Sequence, residues 1–199
     1  RDPGSFRYTA PAPWGNALAG EEVHDVPRRA GDPQAVRAGR FFWRRWTAAT
    51  VEAAAASGPA TGILARLDLP RGALRRAVVV ADGLVLVIDD ADGAPALLRW
   101  NLPEGVTVDR AEGRTSVDAT RWTAALLHDD VASVLDPVDD DPGSGWWAPG
   151  YGRREPLTAV EVPLGTSTPA VTVFAAGGAP SGPRADEARR VIDGRCDAD

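Results

Sequence analysis

The residues best able to do chemistry gather near the start of the chain. Between Asp2 and Trp46 lie His24, one of two histidines in the sequence, a Pro-Gly turn headed by Asp2, and the segment Arg40-Phe41-Phe42-Trp43-Arg44-Arg45-Trp46. A histidine can ligate a metal or carry a proton, but a lone one is more often a hydrogen-bonded structural residue. An aspartate ahead of Pro-Gly is, by default, a turn residue. The arginine and aromatic segment has a more definite chemistry. On a strand, Arg40, Phe42, Arg44 and Trp46 share one face, and Phe41, Trp43 and Arg45 the other. Such a face stacks on a sugar ring while its guanidinium groups pair with a carboxylate or sulfate. The same pattern also describes a strand with one face in the core and snorkelling arginines on the other. Arg40, Arg44 and Trp46 are therefore the candidate substrate-binding residues.

Elsewhere the chemistry is thinner. His128-Asp129-Asp130 pairs an imidazole with acids, yet the flanking Leu126-Leu127 and Val131 read as a strand end with solvated charges. Six aspartates between Asp129 and Asp141 lack the alternate-position pattern and closing glutamate of an EF-hand, so they read as a solvated loop. The sequence holds no G-x-S-x-G, no glycine-rich phosphate loop, no CxxC and no HExxH, which argues against a nucleophilic triad within these residues. A carboxylate pair of the glycosidase kind has no sequence spacing to betray it, because its members need only meet in space.

Composition narrows the class. With 199 residues, 44% of them hydrophobic, the chain can bury one sizeable core. No apolar run approaches the roughly 20 residues of a membrane helix, so no membrane partner is expected. A single cysteine, Cys196, leaves no internal disulfide and no cysteine-based metal cage. The net charge of −6 speaks against a nucleic-acid binder acting through overall charge. Locally the balance inverts: Arg28, Arg29, Arg37, Arg40, Arg44 and Arg45 face a single acid, Asp32, across the same stretch. A basic patch on an acidic protein suits a small or extended anion. The sequence has no methionine and opens on Arg-Asp-Pro-Gly, so an upstream segment is expected to precede it.

The elements that must position these residues read as short strands. Residues 1–20, rich in proline and glycine, are expected to be irregular, with an extended piece at Phe6 to Thr9. Arg37 to Val51 reads as a strand, and Ala53 to Ala56 is too short for a stable helix and reads as strand ends and a turn. Arg76 to Asp89 contains two β-branched runs joined by Asp82-Gly83, the preferred pair of a two-residue hairpin turn, and a second turn follows at Asp92-Gly93. Leu97–Leu102, Val106–Val108, Ser116–Ala119, Trp122–Leu127 and Ala132–Leu135 recur at sandwich spacing. Asp136–Gly145 reads as a loop, and Leu157–Val162 and Ala170–Ala175 as closing strands paired with each other. The expectation is an all-β antiparallel sandwich over residues 1–176, incomplete at its N-terminus, with a flexible tail at 177–199.

Several motifs, in order, carry a resemblance. They are Asp2-Pro3-Gly4-Ser5-Phe6-Arg7-Tyr8, the P-W-x-N-A-L-A-G of Pro13 to Gly20, His24, the R-A-G-R-F-x-W-x-x-W of Arg37 to Trp46, Arg99-Trp100-Asn101-Leu102-Pro103, and Trp147 to Pro156. Together they resemble the C-terminal β-domain of heparinase II/III-like polysaccharide lyases, whose N-terminal α/α toroid would lie upstream. The resemblance implies cleavage of uronic-acid-containing glycans by β-elimination. A base takes the proton beside the carboxylate, positive groups or amide donors neutralise that carboxylate, and an acid protonates the leaving oxygen. It implies an acidic polysaccharide as partner, and a periplasmic or secreted location goes with that reading. It also implies a structural zinc held by Asp2, His24 and a histidine upstream.

The resemblance puts the base and acid mainly in the toroid, so the chain alone is expected to be inactive. Phe6 stands where the family usually has tyrosine, which leaves Tyr8 as the hydroxyl-bearing aromatic nearest the implied site. His24-Asp25-Val26-Pro27-Arg28-Arg29 departs from the family's His-Asn followed by a β-branched strand. The alternative is a non-catalytic sandwich that binds acidic polysaccharide or supports another domain.

Overall fold

The computed structural model describes residues 1–176, apart from Glu112, Thr120, Asp129 and Asp130. The expected tail at 177–199, with Cys196, lies outside the described residues, as do the two acids beside His128. Two three-residue 3₁₀ turns, Ala17–Ala19 and Glu21–Val23, precede sixteen strands. These are β1 Pro27–Arg28, β2 Ala35–Arg37, β3 Trp43–Trp46, β4 Ala49–Ser57, β5 Ala60–Leu69, β6 Gly72–Ala81, β7 Leu84–Ala91, β8 Ala96–Asn101, β9 Thr107–Ala111, β10 Arg114–Asp118, β11 Trp122–Leu127, β12 Ser133–Leu135, β13 Trp146–Gly150, β14 Arg153–Pro156, β15 Ala159–Leu164 and β16 Ala170–Ala176. No helix of the described residues is long and apolar enough to cross a membrane.

One sheet runs β4-β5-β6-β7-β16-β11-β10-β9 and a second β1-β8-β15-β12. Their inner faces meet in one core, where Leu98, Val160 and Val162 of the smaller sheet pack with Leu74, Val117 and Leu126 of the larger. This is the all-β antiparallel sandwich expected from the strand spacing. The turn at Asp82-Gly83 joins β6 to β7 as read: Ala81 pairs with Leu84, and φ is +46° at Asp82 and +76° at Gly83, the left-handed pair that matches strand twist.

Four expectations are corrected. Ala53 to Ala56 lies inside β4 rather than at a turn, with Ala53 opposite Leu64 and Ala56 opposite Thr61; the turn follows at Gly58. Four alanines cannot nucleate a helix, and the ladder to β5 satisfies their backbone. The closing strands do not pair with each other: β15 lies between β8 and β12, and β16 between β7 and β11. Both are flanked on two sides by strands, which one hairpin cannot provide. The Arg37–Val51 strand is split into β2, β3 and the start of β4, so Arg40 sits in the β2–β3 turn and does not share a strand face with Arg44 and Trp46. The extended piece at Phe6–Thr9 reduces to a single bridge, Arg7 to Gly15.

The divergent segment after His24 is explained by packing. Pro27 and Arg28 form β1, a two-residue edge strand against Leu98 and Leu97, where a missing N–H is tolerated. Arg28 donates to Glu161 at 2.7 Å. Arg29, only 2% exposed, turns inward and donates to the carbonyls of Gly72, Ala73, Asp92 and Ala94. There the turns at Gly72 and Gly93 cross so closely that a Cβ on Gly72 would overlap the Asp92 carbonyl, and φ at Gly72 is +115°.

Candidate functional site

The N-terminal segment, both 3₁₀ turns and the hairpins β2–β3 and β13–β14 are stitched together by hydrogen bonds to backbone groups. Ala148 donates to the Pro3 carbonyl at 2.8 Å, and Gly4, at φ +71°, fits against the Ala148 carbonyl where a Cβ would clash. Beneath lies a satellite core of Leu18, Val23 and Ala148 with Phe6 and Trp146. The tryptophan of the P-W-x-N motif, Trp14, belongs to this region, its ring edge-on to both Phe6 and Trp146 at 5.6 Å. Asn16 adopts the left-handed conformation at the head of the first 3₁₀ turn, and its Nδ2 donates to the Arg40 carbonyl at 2.7 Å, pinning the β2–β3 turn.

Arg154 of β14 closes this cluster, its guanidinium 4.0 Å from the Trp14 ring centre and 4.5 Å from that of Trp146. An Arg154→Ala substitution should cost about 1–3 kcal/mol in chemical denaturation, through lost cation–π and stem packing. Arg154→Met should recover the packing share alone. A loss no larger than that of a neutral surface change would show that the tryptophans do not depend on it.

Asp2 and His24, 22 positions apart in sequence, are brought together: His24 Nε2 lies 3.7 Å from Asp2 Oδ2. His24 is held firmly. Its Nδ1 lies 2.8 Å from the Gly20 carbonyl, so in the neutral ring Nδ1 carries the proton and donates, leaving the Nε2 lone pair toward the carboxylate. The residues on either side are anchored to β8, since Asn101 donates through its side chain to the Val23 carbonyl and through its backbone to the Asp25 carboxylate, both at 2.7 Å. Arg76 donates to the Asp25 carbonyl as well. Asp2 is mostly exposed and positioned by its own Asx turn to the Gly4 N–H. Two acceptors facing one another across this 3.7 Å gap, too wide for a direct hydrogen bond, fit a metal cation between them. Among the described residues no group of three or more histidine, cysteine or acidic side chains is placed to hold a metal.

His24 borders a cleft of about 550 Å³ lined also by Glu21, Gln34, Arg37 and Trp43. Burial pushes the Glu21 carboxyl up, opposed by the Gln34 N–H that donates to it at 2.7 Å. Of the predicted binding residues, Arg40 and Arg44 are exposed and neither makes an ion pair or side-chain hydrogen bond among the described residues, whereas Arg45 is tied to the Pro33 carbonyl. Trp46 ends β3 opposite Ala35. The ring of Tyr8 meets Phe41 and Tyr151, two aromatics the sequence reading did not single out as site residues. Their signal was an arginine or glycine beside an aromatic in a turn, which is too common to mark a site. His128 directly follows β11, at the strand end its neighbours indicate, and its ring is buried with Nε2 3.1 Å from Thr115 Oγ1; the two acids beside it lie outside the described residues.

The backbone fold, though not the site residues, can be compared with solved structures. A lysine-methylated heparinase III, the BT4657 gene product, superposes with a TM-score of 0.67 at 15% identity over 91% of this chain. The fold is that of a heparinase III-like β-domain. The unmethylated BT4657 heparinase III gives 0.66 at 15% identity, and a crystal structure of heparinase III gives 0.67 at 14%. In each case the chain spans 28% of the matched heparinase III. No family model matches the sequence, and no curated protein does. The likeness thus resides in the backbone path, which sequences of about 15% identity can share.

Proposed function

We propose that this chain is the C-terminal β-domain of a lyase that cleaves uronic-acid-containing polysaccharide by β-elimination, and that it is inactive alone. The observation that carries the reading is the meeting of Asp2 and His24 beside an open cleft, on a fold shared with heparinase III. The exposed arginines of the β2–β3 hairpin, Arg40 and Arg44, supply charge that attracts a carboxylate or sulfate, with Trp46 at the strand end. The base and acid belong to an upstream α/α toroid of the longer protein.

Asp2 and His24 fit zinc as two of its ligands, because a ligating imidazole typically donates its other N–H to a carbonyl, as His24 does to Gly20. A third ligand would come from the upstream part. Asp2 and His24 would then hold the N-terminal segment against the end of the second 3₁₀ turn, and the zinc would serve a structural purpose there.

The test uses the absorbance of the unsaturated uronate product on heparin, heparan sulfate and alginate. The longer protein should generate it and this chain alone should not; a clear rise from this chain alone would place base and acid within it and overturn the division of labour. Metal analysis provides the second arm. In the longer protein His24→Ala should lower zinc content and thermal midpoint together, since binding energy at such a site is also folding energy. Full retention of zinc would return His24 to an ordinary structural role.

A further inference from the structure

Tyr8, Phe41 and Tyr151 come from three distant parts of the sequence and meet on the surface. The Tyr8 ring is 5.0 Å from Phe41, edge-on at 71°, and 5.2 Å from Tyr151. They stay exposed, at 38%, 65% and 60%. A cluster of rings packed on one another yet open to water is a mark of an interaction site rather than of a core. Its backbone is fixed in advance. Tyr8 follows the bridge between Arg7 and Gly15; Phe41 follows Arg40, whose carbonyl accepts from Asn16; Tyr151 precedes Gly152, whose N–H donates to the Phe6 carbonyl at 2.7 Å. Little ordering remains to be done when a ligand arrives.

The surrounding charge indicates the ligand. Arg7 and Arg40 directly precede Tyr8 and Phe41, both are exposed, and neither pairs with a carboxylate among the described residues. Arg7 also reaches across to the Tyr151 turn, since a Cβ on Gly152 would lie 3.6 Å from its Nε. The patch continues into the cleft beside His24: Arg37 lines that cleft and donates to the Arg40 carbonyl, and Trp43 lines it from the same hairpin.

We propose that Tyr8, Phe41 and Tyr151 form a stacking platform for one pyranose ring of an acidic glycan, with Arg7 and Arg40 meeting its carboxylate or sulfate. The C–H face of a pyranose lies on aromatic rings as other flat apolar faces do, and guanidinium groups beside it add charge-assisted hydrogen bonds. This inference rests on the reading that the domain faces an acidic glycan, and it adds the residues that grip one sugar.

Titration calorimetry of this chain with a heparan sulfate hexasaccharide, an oligogalacturonate hexamer and neutral cellohexaose tests it. Wild type should bind at least one acidic oligosaccharide more tightly than cellohexaose. Phe41→Ala and Tyr151→Ala should each weaken that binding about tenfold, as loss of a stacking ring does elsewhere. Phe41→Tyr and Tyr151→Phe should restore it, and thermal midpoints should stay at the wild-type value because the rings are exposed. If wild type binds an acidic oligosaccharide and both alanine variants bind it equally well, the platform is overturned while the acidic-glycan reading stands. If wild type binds none of the three, both fall. If the alanine variants leave glycan affinity intact but lower the thermal midpoint of the longer protein, the rings are a contact to another domain and the stacking proposal is wrong.

Discussion

Arg29→Ala should cost about 3–5 kcal/mol in urea or guanidinium denaturation, the largest loss expected from one substitution here. The side chain is 2% exposed, and its five hydrogen bonds, 2.6 to 3.4 Å long, all run to backbone carbonyls. No carboxylate among the described residues forms an ion pair with it, so its charge is balanced by carbonyl dipoles alone. Truncation leaves the Gly72 and Ala94 carbonyls without this donor and frees the crossing of the β5–β6 turn with the β7–β8 turn, the second of which connects the two sheets. Arg29→Lys keeps the charge but replaces a planar fork by a point donor, and should recover less than half of the loss. A cost below about 1 kcal/mol for the alanine variant would mean that the glycine crossing holds without the arginine.

Asp89→Ala should rank next, at about 3 kcal/mol or more. Asp89 is fully buried in β7, and Arg76 of β6 grips it through Nε and Nη2 at 2.6 and 3.0 Å. Burial pushes the Asp89 carboxyl up, and the Arg76 fork opposes that push without cancelling it. The ionised pair is therefore carried against a desolvation penalty, and removing one member strands the other. The double change Arg76→Met with Asp89→Leu should recover at least about half of the single-variant loss, because apolar side chains of similar volume avoid that penalty. Recovery should stay incomplete, since Arg76 also donates to the Asp25 carbonyl at 2.7 Å and lies over Trp100. Equal stability of Asp89→Ala and the double variant would show that the penalty is not set by the stranded arginine.

Both residues bear on the candidate site. Arg29 anchors the chain a few residues beyond His24, and Arg76 holds the carbonyl of Asp25 beside it. A variant at either position should thus disturb the Asp2–His24 pair without touching it. Structural arginines of this kind are indistinguishable in sequence from Arg40 and Arg44, which point to solvent in the same basic stretch.

Local order was legible in the sequence wherever the signal is itself local. The Asp82-Gly83 hairpin, the recurring short strands and the irregular start depend on backbone preferences of neighbouring residues, and they formed as the residues dictate. The all-β class followed from their spacing, and the Asp2 and His24 pairing followed from motif order in a resemblance. Partners were not legible in the same way. Which strands flank β15 and β16, which of six arginines turn inward, and that Ala53 to Ala56 extends within a strand are settled by contacts between residues far apart in the chain. Tyr8, Phe41 and Tyr151 show the limit most plainly. Tyr8 is marked by motif order alone, Phe41 and Tyr151 read as ordinary aromatics beside turns, and only the folding of three segments onto one another, with their backbones cross-linked through Asn16 and Gly152, makes them one surface.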